Sequence, residues 1–147
     1  MLGFSPRARR LVAGTYDGSI ATFDAASGRQ LAGPIVAQAG PVLAASFAPG
    51  GRTILTSGTD GAIRLWESAH LHPVGEPLHL LSAQGAFAAF TPDGKEMLGM
   101  DTTGRVTTWP ATTAAWLSRA CHIARRDFTP QERTLYSITP ANAKPCP

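Results

Sequence analysis

Two cysteines in a chain of 147 residues are too few for a disulfide framework. Cys121 and Cys146 also lack the paired spacing of a metal site. Lysine is nearly absent, with Lys95 and Lys144 alone against eleven arginines. The basic residues (Arg7, Arg9, Arg10, Arg29, Arg52, Arg64, Arg105, Arg119) are scattered without interleaved aromatics, and the net charge is only +3. That excludes the basic stripe expected of a nucleic-acid binder. No apolar run approaches the roughly 20 residues that cross a bilayer. The opening MLGFSPRARR lacks the charged and then apolar order of a secretory signal. Charged residues make up 16% of the chain, too few for a long solvated tail. These absences together predict a cytoplasmic protein with reduced thiols and with neither a nucleic-acid nor a membrane partner.

What is abundant is turn chemistry. Fifteen glycines and twelve prolines suit many short elements joined by tight turns. They also fall at a fixed period. Phe4, Phe47 and Phe90 stand 43 residues apart. The offset carries Pro6, Pro49 and Pro92, then Leu11, Ile54 and Met97, then Gly18, Gly61 and Gly104, then Ile20, Ile63 and Val106. Phe23, Trp66 and Trp109 close the unit, and no gap is needed. Each unit reads as strands. Val42 to Phe47 is a short apolar run, as in a strand buried on both faces. Pro49-Gly50-Gly51 turns the chain into Thr53 to Thr56, and Asp60-Gly61 turns it again into Ile63-Arg64-Leu65-Trp66. A looser stretch from Val74 to Leu80 supplies an outer fourth strand, where Pro77, like Pro34 before it, suits an edge.

Four short strands in roughly 43 residues is the period of a propeller blade. The motifs carry the same resemblance. Phe47-Ala48-Pro49-Gly50-Gly51 and Phe90-Thr91-Pro92-Asp93-Gly94 resemble the F-S-P-D-G segment of bacterial WD-repeat (WD40) proteins. Ser57 to Glu67 resembles their S-G-x-D-G-T-V-R-L-W-D, and Ala13 to Asp24 is a degenerate copy. The implied fold is all-β: about three WD40-type blades of an incomplete propeller, followed by a short α-helical C-terminal extension. The blades cover residues 1–110 (a truncated first blade 1–36, a second 37–80, a third 81–110), and the tail covers 111–147. The Gly-His pair expected before the inner strand is missing, with Ala39-Gly40 and Ala83-Gln84 in its place. The buried His–Asp network of strong WD blades is therefore expected to be incomplete. Asp17 and Asp60 remain, Thr103 stands in the third copy, and apolar packing should dominate.

A closed propeller needs at least about four blades, so upstream blades are expected to be missing, and the open edges invite aggregation. Self-association closing a ring is one way to cover them. After Trp109, Thr113 can cap a helix from Ala114 to about Arg126, and Thr129-Pro130-Gln131-Glu132 starts a second, short one ending near Tyr136. The tail's Ala120-Cys121, its Thr129 to Glu132 turn and its terminal Cys146-Pro147 resemble the ends of bacterial proteins in which a WD propeller follows a signalling NTPase or kinase.

No catalytic or cofactor-binding residue stands out. Trp66 and Trp109 sit where blades pack. His70, His72 and His79 lack a carboxylate or cysteine at useful spacing, so no metal is predicted. Asp17, Asp60, Asp93 and Asp101 sit in turn motifs. Cys121 and Cys146 are open between one buried and one terminal thiol and a disulfide formed in an oxidising setting. Cys121 and His122 point about 100° apart on a helix and cannot pair as nucleophile and base. The resemblance implies a non-catalytic protein–protein scaffold, with its surface at residues 37–42 and 80–85 and at the turns 15–18 and 58–61. A remnant without independent function, a sensor propeller segment of an NTPase or kinase, and an enzymatic propeller are the alternatives. The last needs converging carboxylates or histidines, and no such cluster repeats.

Overall fold

The computed structural model describes residues 1–80, 85–112, 114–116, 118 and 122. The chain divides into two compact units, Met1–Trp109 and Pro110–Pro147. The first is built from antiparallel sheets laid down in chain order. The first sheet holds β1 (Leu2–Phe4), β2 (Arg10–Gly14), β3 (Ser19–Asp24) and β4 (Gln30–Val36). The second holds β5 (Val42–Phe47), β6 (Thr53–Gly58), β7 (Ala62–Glu67) and β8 (Leu78–His79). The third holds β9 (Ala86–Phe90), β10 (Glu96–Asp101) and β11 (Val106–Pro110). Within each sheet every strand neighbours the next one in sequence, which is the meander expected of a propeller blade.

The period of 43 carries into the strand register. Phe4 faces Leu11, Phe47 faces Ile54 and Phe90 faces Met97 across the first pair of each sheet. In the second pair Leu11 faces Phe23 and Ile54 faces Trp66. Gly18, Gly61 and Gly104 all take positive φ at the same turn, a conformation glycine adopts without steric penalty. Side-chain bulk is excluded at Gly18 as well, since a Cβ there would run into the carbonyl oxygen of Gln38.

The outer strands differ from the sequence expectation. In the second sheet the stretch from Val74 to Leu80 pairs only over Leu78–His79, with an isolated bridge between Trp66 and Pro73. Pro73 and Pro77 have no N–H to give a ladder, and Gly75 turns the backbone at positive φ between them. Pro34 does lie in an outer strand, β4, whose pairing to β3 shifts register on either side of Thr22.

Packing between sheets follows one rule: the innermost strand of each sheet lies on the sheet before it. β5 contacts β1 and β2, and β9 contacts β5, β6 and β7. Between the first two sheets this buries Val12 and Ile20 against Ala45, Phe47, Ile54 and Trp66. Leu55 and Ile63 are fully buried where β9 covers the second sheet. Each such aliphatic side chain contributes about 1.5–3 kcal/mol relative to exposure.

In the tail, Ala114–Trp116, Ser118 and His122 are helical. The described part of this helix opens at Ala114, and the expected cap Thr113 lies outside the described residues. Thr112 accepts the Ala115 N–H through its hydroxyl at 3.3 Å, and the Trp116 N–H reaches the Thr112 carbonyl at 3.0 Å. The expected second helix lies outside the described residues.

The contact between the second and third sheets yields a test. A Cβ placed on Gly99 would lie 2.7 Å from Ile63 Cδ1 and 2.7 Å from Trp109 Cζ3. Gly99→Ala should destabilise the chain by about 1–3 kcal/mol through overpacking. Gly50→Ala, with open space around the new methyl, should change stability by less than about 0.5 kcal/mol. Urea denaturation of the two variants measures the difference.

Candidate interaction surface

One end of the sheets gathers the turns between second and third strands and the loops that enter each new sheet. Backbone hydrogen bonds lace these segments together. Val42 N–H donates to Thr15 O at 3.1 Å, Ala37 and Gln38 N–H both donate to Gly18 O at 2.9 and 3.0 Å, and Thr59 N–H donates to Pro41 O at 3.1 Å. Gly85 N–H reaches Thr59 O at 3.3 Å. The turns 15–18 and 58–61 and the loop 37–42 thus form one connected rim. Residues 81–84 of the loop 80–85 lie outside the described residues.

The middle sheet anchors this rim with a polar network that was expected to be incomplete. Asp60 accepts the Ala39 N–H at 3.0 Å and the Ala62 N–H at 3.2 Å, and pairs with Arg64 at 2.7 Å. Arg64 also donates to the Gln38 side-chain carbonyl. The Gln38 amide donates to the Thr56 hydroxyl at 2.8 Å, and the Trp66 indole N–H donates to the same oxygen at 2.9 Å. Gln38 is buried and carries the bridge that the missing histidine leaves open. An amide suits the role because it offers a donor and an acceptor together. The neighbouring sheets lack the parts. At the Thr56, Arg64 and Trp66 positions the first sheet has Ala13, Ala21 and Phe23, and the third has Gly99, Thr107 and Trp109.

A simpler device recurs in all three sheets: a side chain caps the N–H that opens the third strand. In the first sheet Asp17 and Thr15 accept the Ser19 N–H at 3.2 and 3.1 Å, and Thr15 also bonds to Asp17. In the second Asp60 serves Ala62. In the third, Thr103 stands at the aspartate position, and the buried Asp101 accepts from the Arg105 N–H at 3.0 Å and from the Thr103 hydroxyl at 2.6 Å. Threonine and aspartate have exchanged places between the first and third turns, and the cap survives.

Five carboxylates, Asp17, Asp24, Asp60, Glu67 and Asp93, are held ionised by their hydrogen-bond donors. Burial pushes the Asp60 carboxyl up, but the Ala39 N–H, the Arg64 guanidinium and the Ala62 N–H outweigh it and leave the group below its ordinary value. The Thr15 hydroxyl and Ser19 N–H lower Asp17, and the Thr91 hydroxyl and Lys95 N–H lower Asp93. The Ser27 hydroxyl and N–H lower Asp24, and the Ala69 and His70 N–H groups lower Glu67. A general acid needs its pKa raised instead.

Of the remaining candidate residues, His70 and His72 stack obliquely with ring centroids 5.8 Å apart, and His70 Nδ1 lies 3.3 Å from Glu67. Among the described residues no group of three or more His, Cys, Asp or Glu is placed to hold a metal. Cys121 and Cys146 lie outside the described residues. Among those described, no helix is long and apolar enough to cross a membrane.

Residues 30–67 match the family model described as WD domain, G-beta repeat. The chain carries a WD repeat. The match runs from β4 through β7, so it takes the outer strand of one blade with three strands of the next. No curated protein matches the chain. The matched WD repeat contains every member of the Asp60–Arg64–Gln38–Thr56–Trp66 network.

Two members of the network, Gln38 and Thr56, were missed from sequence. Gln38 sits one residue before Ala39-Gly40, and Thr56 lies opposite Arg64 across the β6–β7 ladder, so register was the available signal. Tyr16 is 87% exposed at the crest of the first turn, which tertiary structure alone reveals.

Two measurements test the network. Gln38→Ala should cost about 1–3 kcal/mol, because Arg64 and Thr56 lose a buried partner. A double-mutant cycle with Thr56→Val in urea should show coupling above about 0.5 kcal/mol. The second is acid titration. A carboxyl lowered in the folded state contributes stability that is complete above its unfolded pKa, about 3.9, and is lost as pH falls through the lower folded value. Asp60→Asn should therefore lower stability at pH 7 and flatten its decline below about pH 4.

Proposed function

We propose that the chain is a non-catalytic scaffold that binds a protein partner across the rim formed by turns 15–18 and 58–61 and loop 37–42. The observation that carries this reading is the WD repeat itself, with its entry loop clamped to the blade by Asp60 and Gln38. A loop already fixed by its framework loses little conformational freedom on binding. Tyr16 supplies a large amphipathic side chain, the kind that anchors protein interfaces. The turn carboxylates are engaged as backbone caps, and none pairs with another as acid and base. A bacterial cytoplasmic signalling protein is the setting this reading favours. Its support is the tail resemblance of Ala120-Cys121, Thr129 to Glu132 and Cys146-Pro147.

Site-specific photocrosslinking in cells tests the surface. A crosslinker in place of Tyr16 should yield an adduct with a discrete protein, and one in place of Ser27, at the opposite end of the first blade, should not. Against that partner Tyr16→Ala should weaken binding at least about fivefold, the loss that marks an anchor residue. Equal crosslinking from both ends, or from neither, would remove the rim from consideration.

A further inference from the structure

Among the described residues the first and third sheets each leave one apolar face exposed, and the junctions inside the chain show what each is shaped to meet. Consider the face a blade presents to its successor. Val12 and Ile20 in the first blade and Leu55 and Ile63 in the second are buried to 1% or less beneath the next inner strand. The same columns in the third blade hold Leu98 and Val106, which are 38% and 57% exposed. Phe87 and Met100, opposite each other across the β9–β10 ladder, are exposed on the same side. Together with Ala44, Ala88, Ala89 and Gly99 these residues line a shallow apolar groove of about 420 Å³.

The face a blade presents to its predecessor repeats the pattern in reverse. Ala45 and Phe47 are 4% and 7% exposed where the second blade meets the first. The matching Leu2 and Phe4 of the first blade are 64% and 62% exposed. Leading and trailing faces are thus the two halves of a junction already built twice inside the molecule. In each built junction an inner strand carries the leading side chains onto the aliphatic columns of the sheet ahead. The chain's own β1 already lies on β5, two blades from the trailing face.

We propose that the trailing face of the third blade docks the leading face of a second copy of this chain, bringing Leu2 and Phe4 of that copy onto Leu98, Met100 and Val106. The contact is heterologous, one surface against a different one, so it must either close on itself or run on as a filament. Two copies supply six blades. Closed propellers typically have about four to eight, so the pair closes into a ring with two identical junctions. The inference is independent of the partner rim, which lies at the blade ends and not on the blade faces. A chain that fails to dimerise can still bind at Tyr16, and the reverse holds as well.

Sedimentation velocity of the full 147-residue chain over a concentration series tests the proposal. The expected species has twice the mass of one chain. Val106→Glu on the trailing face and Phe4→Glu on the leading face should each weaken association at least tenfold. An equimolar mixture of the two variants should restore a heterodimer, because it retains one junction with both faces intact. Near-UV circular dichroism checks that both variants stay folded. Should either unfold, hydrogen exchange on the unmutated chain replaces it, with Leu2–Phe4 and Phe87–Met100 both slowing as concentration rises. A monomer at every concentration would overturn the proposal. So would association indifferent to both substitutions, loss from one face only, a mixture that stays monomeric, or slowed exchange in a single segment.

Discussion

A small sheet cannot bury both of its faces by itself, and each blade here depends on its neighbour for the side it leaves open. The inner strand is the element that meets this need. It is hydrogen-bonded into its own sheet while its side chains press on the sheet before, so one strand serves two blades. This explains why β5 is a nearly continuous apolar run, Val42-Leu43-Ala44-Ala45-Ser46-Phe47, and does not alternate as a one-sided strand would. The stability of such an array is a sum of blade terms and nearest-neighbour junction terms. The middle blade, with a junction on each side, carries the largest share of the buried core.

The polar network sits in that same middle blade. Burying an arginine, a glutamine amide and a carboxylate is unfavourable unless each finds partners. Asp60, Arg64, Gln38, Thr56 and Trp66 meet the condition by closing on one another and on the Ala39 N–H. In return the network fixes where the entry loop leaves the first blade and starts the second. The first and third blades dispense with it: Phe23 faces Leu11 in the first, and Trp109 packs over Gly99 in the third.

These facts decide how much of the fold could be read in the sequence. The blade units were legible because their determinants are local and periodic: Phe before the turn proline, glycine at the positive-φ position, an aromatic closing the third strand. The register at an offset of 43 follows from those alone. The network was not legible in the same way. Gln38 lies 18 residues from Thr56 and 26 from Arg64, and glutamine carries no motif of its own. An expectation built on a missing histidine counted residue types, whereas the buried site requires a donor and an acceptor at one place, which an amide provides equally well. The weak pairing of the outer strand has a plainer cause: two prolines remove donors that a composition-level reading of an edge strand tolerates. Tyr16 falls within the turn 15–18 read from sequence as surface, but its exposure was not legible there, since that depends on what the neighbouring loop leaves uncovered.

The exchange of Thr15 and Asp17 for Asp101 and Thr103 shows where constraint ends and freedom begins. What the turn requires is an oxygen on the N–H that opens the third strand, and either side chain delivers it from either of two positions. Chemistry at the turn is fixed at the level of the hydrogen bond and free at the level of the residue. In the first blade the residue between those two positions is Tyr16, and the cap on the Ser19 N–H comes from Thr15 and Asp17 on either side of it. This is the physical basis for placing recognition on the rim: at the first turn the backbone is held by Thr15 and Asp17, and the Tyr16 side chain stands exposed between them.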